Sequence, residues 1–308
     1  MSKLFVWPPP KRKVGLTVVV PASILAVEQS LYEKTIILGF LARALAIFRV
    51  DRVVIFVDSE CKDEDVEVMR DVMNYMLTPP YIRKRLICRK ETLRYAGILP
   101  PLNIPTHPTS NEGLEVVPVR EGVVVKVRGR YVKVDIGLKE DVSAEVPRDI
   151  ADKVKPRVGA KVLVKVVEKN PLKGIIITED DVPWYLGFKV TTVYEVDNII
   201  KMLADPEALV VMTTKYGDDV SKLLSMYGEG LKTIIVLFGN YRKDFNELLG
   251  ENFSRILSNV VKVSINTIPF QGVRSVRTVE AVYATLALIN ALTHPLEVRS
   301  WEVFKIYK

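Results

Sequence analysis

The sequence predicts an α/β protein into which a small β-barrel is inserted. Two observations predict this class. In both terminal parts of the chain, apolar runs rich in β-branched residues alternate with helical periodicity, and parallel strands require such crossover helices. In the middle, short runs separated by turn residues follow one another, which is typical of a small barrel.

The N-terminal part reads as two strand–helix pairs. Residues 14–20 form a buried strand, which Pro21 ends, and residues 28–49 carry apolar side chains at helical spacing. A second apolar strand at 52–57 precedes a helix over 63–77. These elements supply too few strands to close a sheet alone, so they need partners from elsewhere in the chain.

The barrel follows a linker at 97–113 that is rich in Pro, Gly, Asn and Ser. Its size and strand number match an OB-like barrel best, and we assign it residues 111–180. The expected strands are 115–120, 122–127, 130–136, 143–146, 161–167 and 174–178.

The C-terminal part returns to alternating helices and strands. We therefore expect residues 1–110 and 181–308 to form one discontinuous α/β domain. The expected helices are 195–204, 218–227, 243–249 and 278–292, and the expected strands are 208–212, 233–238 and 260–265.

Composition excludes several classes of protein. Of 308 residues 48% are hydrophobic and 26% are charged, which is the profile of a packed protein. Two cysteines and two histidines cannot build a disulfide framework or a histidine-rich metal site, so we expect no metal. The sequence shows neither an apolar run of membrane-spanning length nor a signal peptide, so we expect a cytoplasmic protein.

Common catalytic motifs are absent from the sequence. It contains no G-x-G-x-x-G after the first strand, no P-loop, no H-E-x-x-H, no C-x-x-C and no G-x-S-x-G. His107 lies in a Pro-rich loop and His294 follows the last expected helix, and packing is the favoured interpretation for both.

Three segments follow expected strands and contain Gly or Pro: 213–217, 238–240 and 266–278. In open α/β sheets, ligands bind at the carboxyl ends of the strands, and glycine lets the backbone face a ligand closely. The segments suit an adenine nucleoside. Spacing alone does not separate this interpretation from three ordinary strand–helix turns.

The last of these segments resembles the final motif of the SPOUT superfamily of RNA methyltransferases. The resemblance is carried by NTIPFQGVRSVRTVEAVYATLALINAL, by the opening run VVVPASILAVEQSLYEKTIILGFLARALAIFRVDRVVIF and by IIVLFGN. The chain is most similar to the archaeal and eukaryotic branch of uridine-N3 methyltransferases, which YAGILPPLNIPTHP and the β-rich insertion also fit.

The resemblance implies a trefoil knot, S-adenosylmethionine (SAM) as cofactor, a homodimer and RNA, of ribosomal origin, as substrate. It also implies which residues approach SAM. They are Thr214, Gly217, Leu237, Phe238, Gly239, Ile268, Pro269, Gln271, Gly272, Val276, Arg277 and Thr278.

Two arginines are the candidate catalytic residues. Arg43 matches a functional arginine of related enzymes that methylate ribose, and Arg277 precedes the last helix. A cation suits the negative charge that develops on a uridine ring when N3 loses its proton. A carboxylate could take that proton, but Glu280 is better explained as a charge in the first helical turn.

Basic side chains cluster in ways typical of RNA binding. The net charge is +7, residues 81–95 hold six cations between two tyrosines, and 126–133 form a basic hairpin with Tyr131. A solvated charged surface is the alternative for each cluster. The candidate RNA contacts are Arg83, Lys84, Arg85, Arg89, Lys126, Arg128 and Arg130.

The leading hypothesis is therefore a SAM-dependent RNA methyltransferase that modifies N3 of a uridine in ribosomal RNA. The second is a non-catalytic RNA-binding or ribosome-assembly factor that keeps the same fold. Methylation of ribose 2′-hydroxyls is a third hypothesis.

Overall fold

The computed structural model describes residues 5–108, 113–228 and 230–298. The strands are β1 (Gly15–Pro21), β2 (Arg52–Phe56), β3 (Val119–Arg128), β4 (Tyr131–Asp135), β5 (Val142–Glu145), β6 (Lys161–Lys169), β7 (Leu172–Ile177), β8 (Lys189–Val193), β9 (Ala208–Asp219), β10 (Thr233–Leu237) and β11 (Val263–Asn266). The helices are α1 (Leu31–Ile47), α2 (Asp63–Leu77), α3 (Arg83–Leu86), α4 (Ala151–Val154), α5 (Val196–Leu203), α6 (Lys222–Met226), α7 (Phe245–Leu249), α8 (Glu251–Val260) and α9 (Thr278–Val298).

The chain divides into two compact units. One comprises residues 1–11, 75–91 and 101–187 and holds the barrel, and the other comprises 12–74, 92–100 and 188–308 and holds the large sheet. The barrel unit extends beyond the expected insertion at 111–180, because the end of α2 and the segment 81–91 also belong to it. The expected boundary between residues 110 and 111 lies outside the described residues.

The large sheet has six strands in the order β11-β9-β10-β1-β2-β8. All neighbouring strands run parallel, which confirms the predicted α/β class with a parallel sheet. The order places β1 and β2, from the N-terminal part, beside β9 and β10, from the C-terminal part. The expected discontinuous sheet therefore forms, while the trefoil knot stays a prediction.

Burial on both faces explains the continuous apolar runs of the central strands. Val18, Val19 and Val20 of β1 are fully buried, as parallel strands covered by helices require. On one face Val19 packs in a cluster with Phe56 of β2 and Phe245 of α7. This core fixes the carboxyl ends of β9, β10 and β1 side by side.

Sequence reasoning missed β8 and α8. Lys189–Val193 pairs with β2 at the edge of the sheet, and its half-buried side chains give a weaker apolar signal than those of β1. Helix α8 (Glu251–Val260) follows α7 after a turn at Gly250. The sequence pattern predicted only the first of these two helices. The expected last helix at 278–292 runs on to Val298 and contains position 294.

The N-terminal cation Arg12 is a packing residue, not part of an exposed basic patch. Its side chain is buried and donates to the Thr293 hydroxyl over 2.7 Å and to the side-chain oxygen Oδ1 of Asn290 over 3.3 Å. Charge-assisted bonds of this kind are strong when they are shielded from water. Arg12 therefore anchors α9 at the start of β1.

The second unit contains a closed barrel of five strands in the order β3-β4-β5-β7-β6. β5 and β7 pair in parallel and the other pairs are antiparallel, which is the OB-type arrangement that we predicted. The two runs expected at 115–120 and 122–127 form the single strand β3, because Pro118 delays its start to Val119. The interior is filled by apolar side chains such as Val134 and Val164.

No helix among the described residues is long and apolar enough to span a membrane.

Candidate functional site

The segment 213–217 belongs to strand β9 and is not the free loop that we expected. Ser264 of β11 pairs with Met212, but the next residue, Ile265, pairs with Asp218. The five positions between them are therefore skipped in the pairing of the two strands. They form a bulge, and bulges redirect side chains at functional edges of sheets.

Gly217 is required in this bulge by the close approach of β11. A Cβ atom at Gly217 would lie 2.4 Å from the carbonyl carbon of Ile265. Nearby, the Asn266 amide donates to the Lys215 carbonyl over 2.9 Å, which ties the bulge to the end of β11. Gly217 thus has a structural role, and no ligand is needed to explain it.

Side-chain hydrogen bonds join the bulge to the loop that follows β10. The Thr214 hydroxyl donates to the Asp244 carboxylate over 2.6 Å, and the Thr213 hydroxyl donates to the Leu237 carbonyl over 2.9 Å. Leu237 and Phe238 are buried. Gly239 allows the tight turn, because a Cβ there would lie 2.2 Å from the Lys243 carbonyl oxygen.

The loop between β11 and α9 is held against the same turn. The Thr278 hydroxyl donates to the Gly239 carbonyl, and the Ser275 hydroxyl donates to the Tyr241 carbonyl, each over 2.9 Å. The structure therefore brings the three predicted segments together at one edge of the sheet. Hydrogen bonds between their own side chains and backbone hold them there.

Within this loop the predicted residues differ in exposure. Gln271 donates to the Val273 carbonyl and so folds over its own loop, while Phe270 and Val273 are exposed. Gly272 is open, since nothing in the described chain lies within 4 Å of where its Cβ would be. Ile268 and Val276 are half-buried and Pro269 is exposed. The loop thus presents backbone and apolar side chains to the outside.

Arg277 forms an ion pair that sequence reasoning missed. Its Nη1 donates to Glu28 Oε1 over 3.0 Å, and the Glu28 side chain is only 6% exposed. Desolvation raises the pKa of the Glu28 carboxyl, and the Arg277 charge opposes this rise. The two residues are 249 positions apart, so no local pattern could have revealed the pair.

Arg43 lies on α1. It is half-buried, and its charge acts on the Tyr283 hydroxyl of α9, whose pKa is raised by burial. Tyr283 in turn donates to the Phe40 carbonyl over 3.0 Å. The structure therefore places Arg43 at the contact of α1 with α9. Arg277, by contrast, lies in the loop between β11 and α9.

A second polar network borders the same edge. The Asn240 amide donates to the Ser23 hydroxyl over 3.0 Å and to the Glu60 carboxylate over 2.8 Å. Glu60 also pairs with Lys243, and these two hydrogen bonds lower the pKa of its carboxyl. The network links the ends of β1, β2 and β10. In the sequence, the signal for this network is limited to the polar residues that follow each of these strands.

The candidate RNA contacts all lie in the barrel unit, and Arg83 differs from the others. Its guanidinium donates to the Thr78 carbonyl over 2.8 Å and stacks on Tyr75, 4.3 Å from the ring centroid. These internal contacts occupy part of the half-buried side chain, and the expected RNA contact of Arg83 stays a prediction. The exposed members are Lys84, Arg85, Arg89, Lys126, Arg128 and Arg130.

The basic hairpin between β3 and β4 is partly organised by its own contacts. Arg130 donates to the Tyr131 hydroxyl over 3.0 Å and lies 3.5 Å from the Glu145 carboxylate. Arg85 pairs with Asp135 over 2.6 Å.

The barrel histidine, His107, is buried against the Leu77 carbonyl, and burial lowers its pKa to about 4, which fits packing and not catalysis.

Comparison with known proteins identifies the family. A family model described as "Putative RNA methyltransferase" matches residues 15–289, which is most of the chain. The chain belongs to this family. The match confirms the predicted resemblance to RNA methyltransferases.

Individual relatives agree with the family match. An uncharacterized protein of Halobacterium salinarum is 31% identical, with 89% of this chain and 98% of that protein covered. Proteins named 28S rRNA (uridine-N(3))-methyltransferase from mouse and human are each 28% identical. These matches cover 91% of this chain and 77% and 78% of the mouse and human proteins.

The two loop glycines are expected to respond differently to alanine. Gly239→Ala should destabilise the fold by about 1–3 kcal/mol, because the added Cβ overlaps a backbone carbonyl. Gly272→Ala should change stability by less than about 0.5 kcal/mol, because its Cβ meets open space. Urea denaturation of both variants checks this, and equal effects would contradict the loop geometry.

Proposed function

We propose that this protein uses SAM to methylate N3 of a uridine in ribosomal RNA. The observation that carries the proposal is the similarity, over 91% of this chain, to proteins named 28S rRNA (uridine-N(3))-methyltransferase. The convergence of the bulge in β9 with the loops after β10 and β11 supports it, because ligands bind at that edge of α/β sheets.

The residues present at this edge fit SAM. The backbone around Gly239 and the open backbone at Gly272 can face the flat adenosine closely. The exposed apolar side chains of Phe270 and Val273 suit contact with its rings. SAM bound there supplies a methyl group on a positively charged sulfur.

The chain's own residues must then hold the uridine and handle its proton. N3 of uridine is protonated at neutral pH, and its loss leaves negative charge on the ring oxygens. Arg277, whose side chain is half-exposed beside the loops, is placed to stabilise that charge. Holding both reactants in one orientation contributes much of the rate in such a transfer.

The barrel is proposed as the RNA-binding module. Lys126, Arg128 and Arg130 are exposed on the β3–β4 hairpin, and Tyr131 beside them is 45% exposed. Cations that neutralise phosphates, next to an aromatic ring that can stack on a base, form a general RNA-binding surface.

A homodimer is part of the proposal. Helix α1 is apolar on nearly every side, yet Phe40 and Ile47 are each about half exposed. They are seven residues apart and so share one face of the helix. A second copy of the chain would cover this face.

The first test is product formation by the wild-type protein and Gly272→Val. Wild-type protein, SAM and unmodified ribosomal RNA transcribed in vitro should yield 3-methyluridine, detected by mass spectrometry of digested nucleosides. Gly272→Val should abolish the product and SAM binding, because its side chain enters the space left for the ligand. Its thermal unfolding should match that of the wild-type protein.

Two results would contradict this account. Ribose-methylated nucleosides in place of 3-methyluridine would favour the third hypothesis. A folded wild-type protein that binds RNA but gives no methylated product and does not bind SAM would favour the non-catalytic factor.

The RNA surface is tested by its salt dependence. The triple variant Lys126→Gln, Arg128→Gln, Arg130→Gln should bind RNA more weakly, and the slope of log K against log salt should flatten by about 0.7–0.9 for each phosphate that is no longer neutralised. The matched control replaces Lys153, Lys155 and Arg157 of the same barrel unit. An unchanged slope in the hairpin variant alone would remove the hairpin from the RNA surface.

The dimer is tested by sedimentation. The wild-type protein should sediment at twice the mass of one chain, and Phe40→Glu with Ile47→Glu should give a folded monomer, because charge on this face opposes its burial. A monomeric wild-type protein, or a double variant that stays dimeric, would contradict the assigned face.

A further inference from the structure

A cleft of about 310 Å³ lies where α1, α9 and the turn after β1 meet. Its walls are apolar and are formed by Ile24, Val27, Ile37 and Val279. Glu28, Arg277 and Tyr241 are its polar members. This volume includes space that is open to solvent. The predicted SAM loops reach the cleft through Thr278 and Tyr241.

Glu28 has a carboxylate oxygen without a partner. Oε1 accepts the hydrogen bond from Arg277, whereas the buried Oε2 has no hydrogen-bond partner among the described residues. A buried acceptor without a partner is unfavourable, and more so when it is charged. Because Glu28 lines the cleft, a ligand that donates a hydrogen bond would satisfy this atom.

Arg277 complements this acceptor with donors. A guanidinium carries five N–H donors, and its single bond to Glu28 leaves the half-exposed side chain able to bind a ligand oxygen. The cleft therefore offers an acceptor and a donor side by side between apolar walls.

We propose that this cleft binds the target uracil, with Glu28 Oε2 accepting the N3 proton and Arg277 donating to the adjacent ring oxygen. The inference rests on the proposed function and names the residues that select the base. Uracil presents a donor at N3 between two carbonyl acceptors, so its edge matches this pair of side chains. Cytosine has an acceptor at N3 and would place it against the Glu28 carboxylate.

The same contact lets Glu28 act as the general base. The N3–H proton passes to Oε2, and its bonding electron pair stays on N3, with charge spread over the ring oxygens near Arg277. That pair forms the new N3–CH₃ bond as the carbon–sulfur bond of SAM breaks with its electrons on sulfur. Glu28 then releases the proton to water.

Burial makes Glu28 a stronger base than an exposed carboxylate. Desolvation is the largest effect and raises its pKa, while Arg277, the backbone N–H of Glu28 itself and Lys34 lower it and Glu33 raises it. A base with a higher pKa takes a proton more readily, provided that it is ionised at the working pH. Activity should therefore rise as pH increases through the raised pKa of Glu28 and then level off.

Glu28→Gln is the informative variant. Its amide oxygen can still accept from Arg277, but its NH₂ group would meet N3–H as donor against donor. We expect a loss of 3-methyluridine formation of about 10²-fold or more, mainly in kcat, together with loss of the rising limb of the pH profile. SAM binding by calorimetry should be unchanged. Glu64→Gln, an exposed glutamate of α2, is the matched control.

A more acidic substrate gives a second readout. In a transcript that contains 5-fluorouridine, N3 loses its proton more easily. Loss of the Glu28 carboxylate as general base should therefore reduce activity less on this transcript. Glu28→Gln should regain a larger share of wild-type activity on this transcript than on the uridine transcript. A purely structural role of Glu28 predicts the same deficit on both transcripts.

The outcomes separate the two proposals. No methylated product from the wild-type protein overturns the proposed function itself. An active wild-type protein with an equally active Glu28→Gln, or with the same deficit on both transcripts, overturns only the inference about the cleft. If Glu28→Gln fails to fold, Ile37→Phe decides, since it fills the cleft. Abolished product with retained SAM binding supports the proposal, and normal activity overturns it.

Discussion

The candidate site depends on one constraint, the parallel alignment of β9, β10 and β11 at their carboxyl ends. These strands are separated along the chain by helices, but the sheet order sets them side by side. Hydrogen bonds from Thr214 to Asp244 and from Thr278 to Gly239 then hold the bulge of β9 against the segments that follow β10 and β11. The site is thus built by backbone and short side chains, which suits recognition of a ligand by shape and by its polar edges.

The start of α9 joins this edge to the proposed base-binding cleft. Glu280 accepts a hydrogen bond from the Arg277 backbone over 2.9 Å and so caps the helix, while the Arg277 side chain reaches Glu28. One short segment therefore contacts the loop at Gly239 on one side and the cleft on the other. A methyl donor and a nucleobase held on either side of this segment would lie close to each other, as a transfer between them requires.

Much of the fold could be predicted because periodicity reports local structure. The strands β1, β2 and β10 and the helix α2 appear close to their expected positions, since burial on both faces or on one stripe sets their patterns. The bulge in β9 and the pairing of β8 depend on partner strands, which local pattern does not contain. The loops of the site followed from their positions after strands. The role of Glu28 did not, because its partner Arg277 lies 249 positions away along the chain.

The central claim is that three segments from one sheet edge form the SAM site. Hydrogen–deuterium exchange of the intact protein with and without SAM measures this directly. The account predicts slower exchange on SAM addition in 213–219, 238–244 and 267–277, and no comparable change in the barrel strands. Protection confined to other segments, or none at saturating SAM in the folded protein, would contradict it.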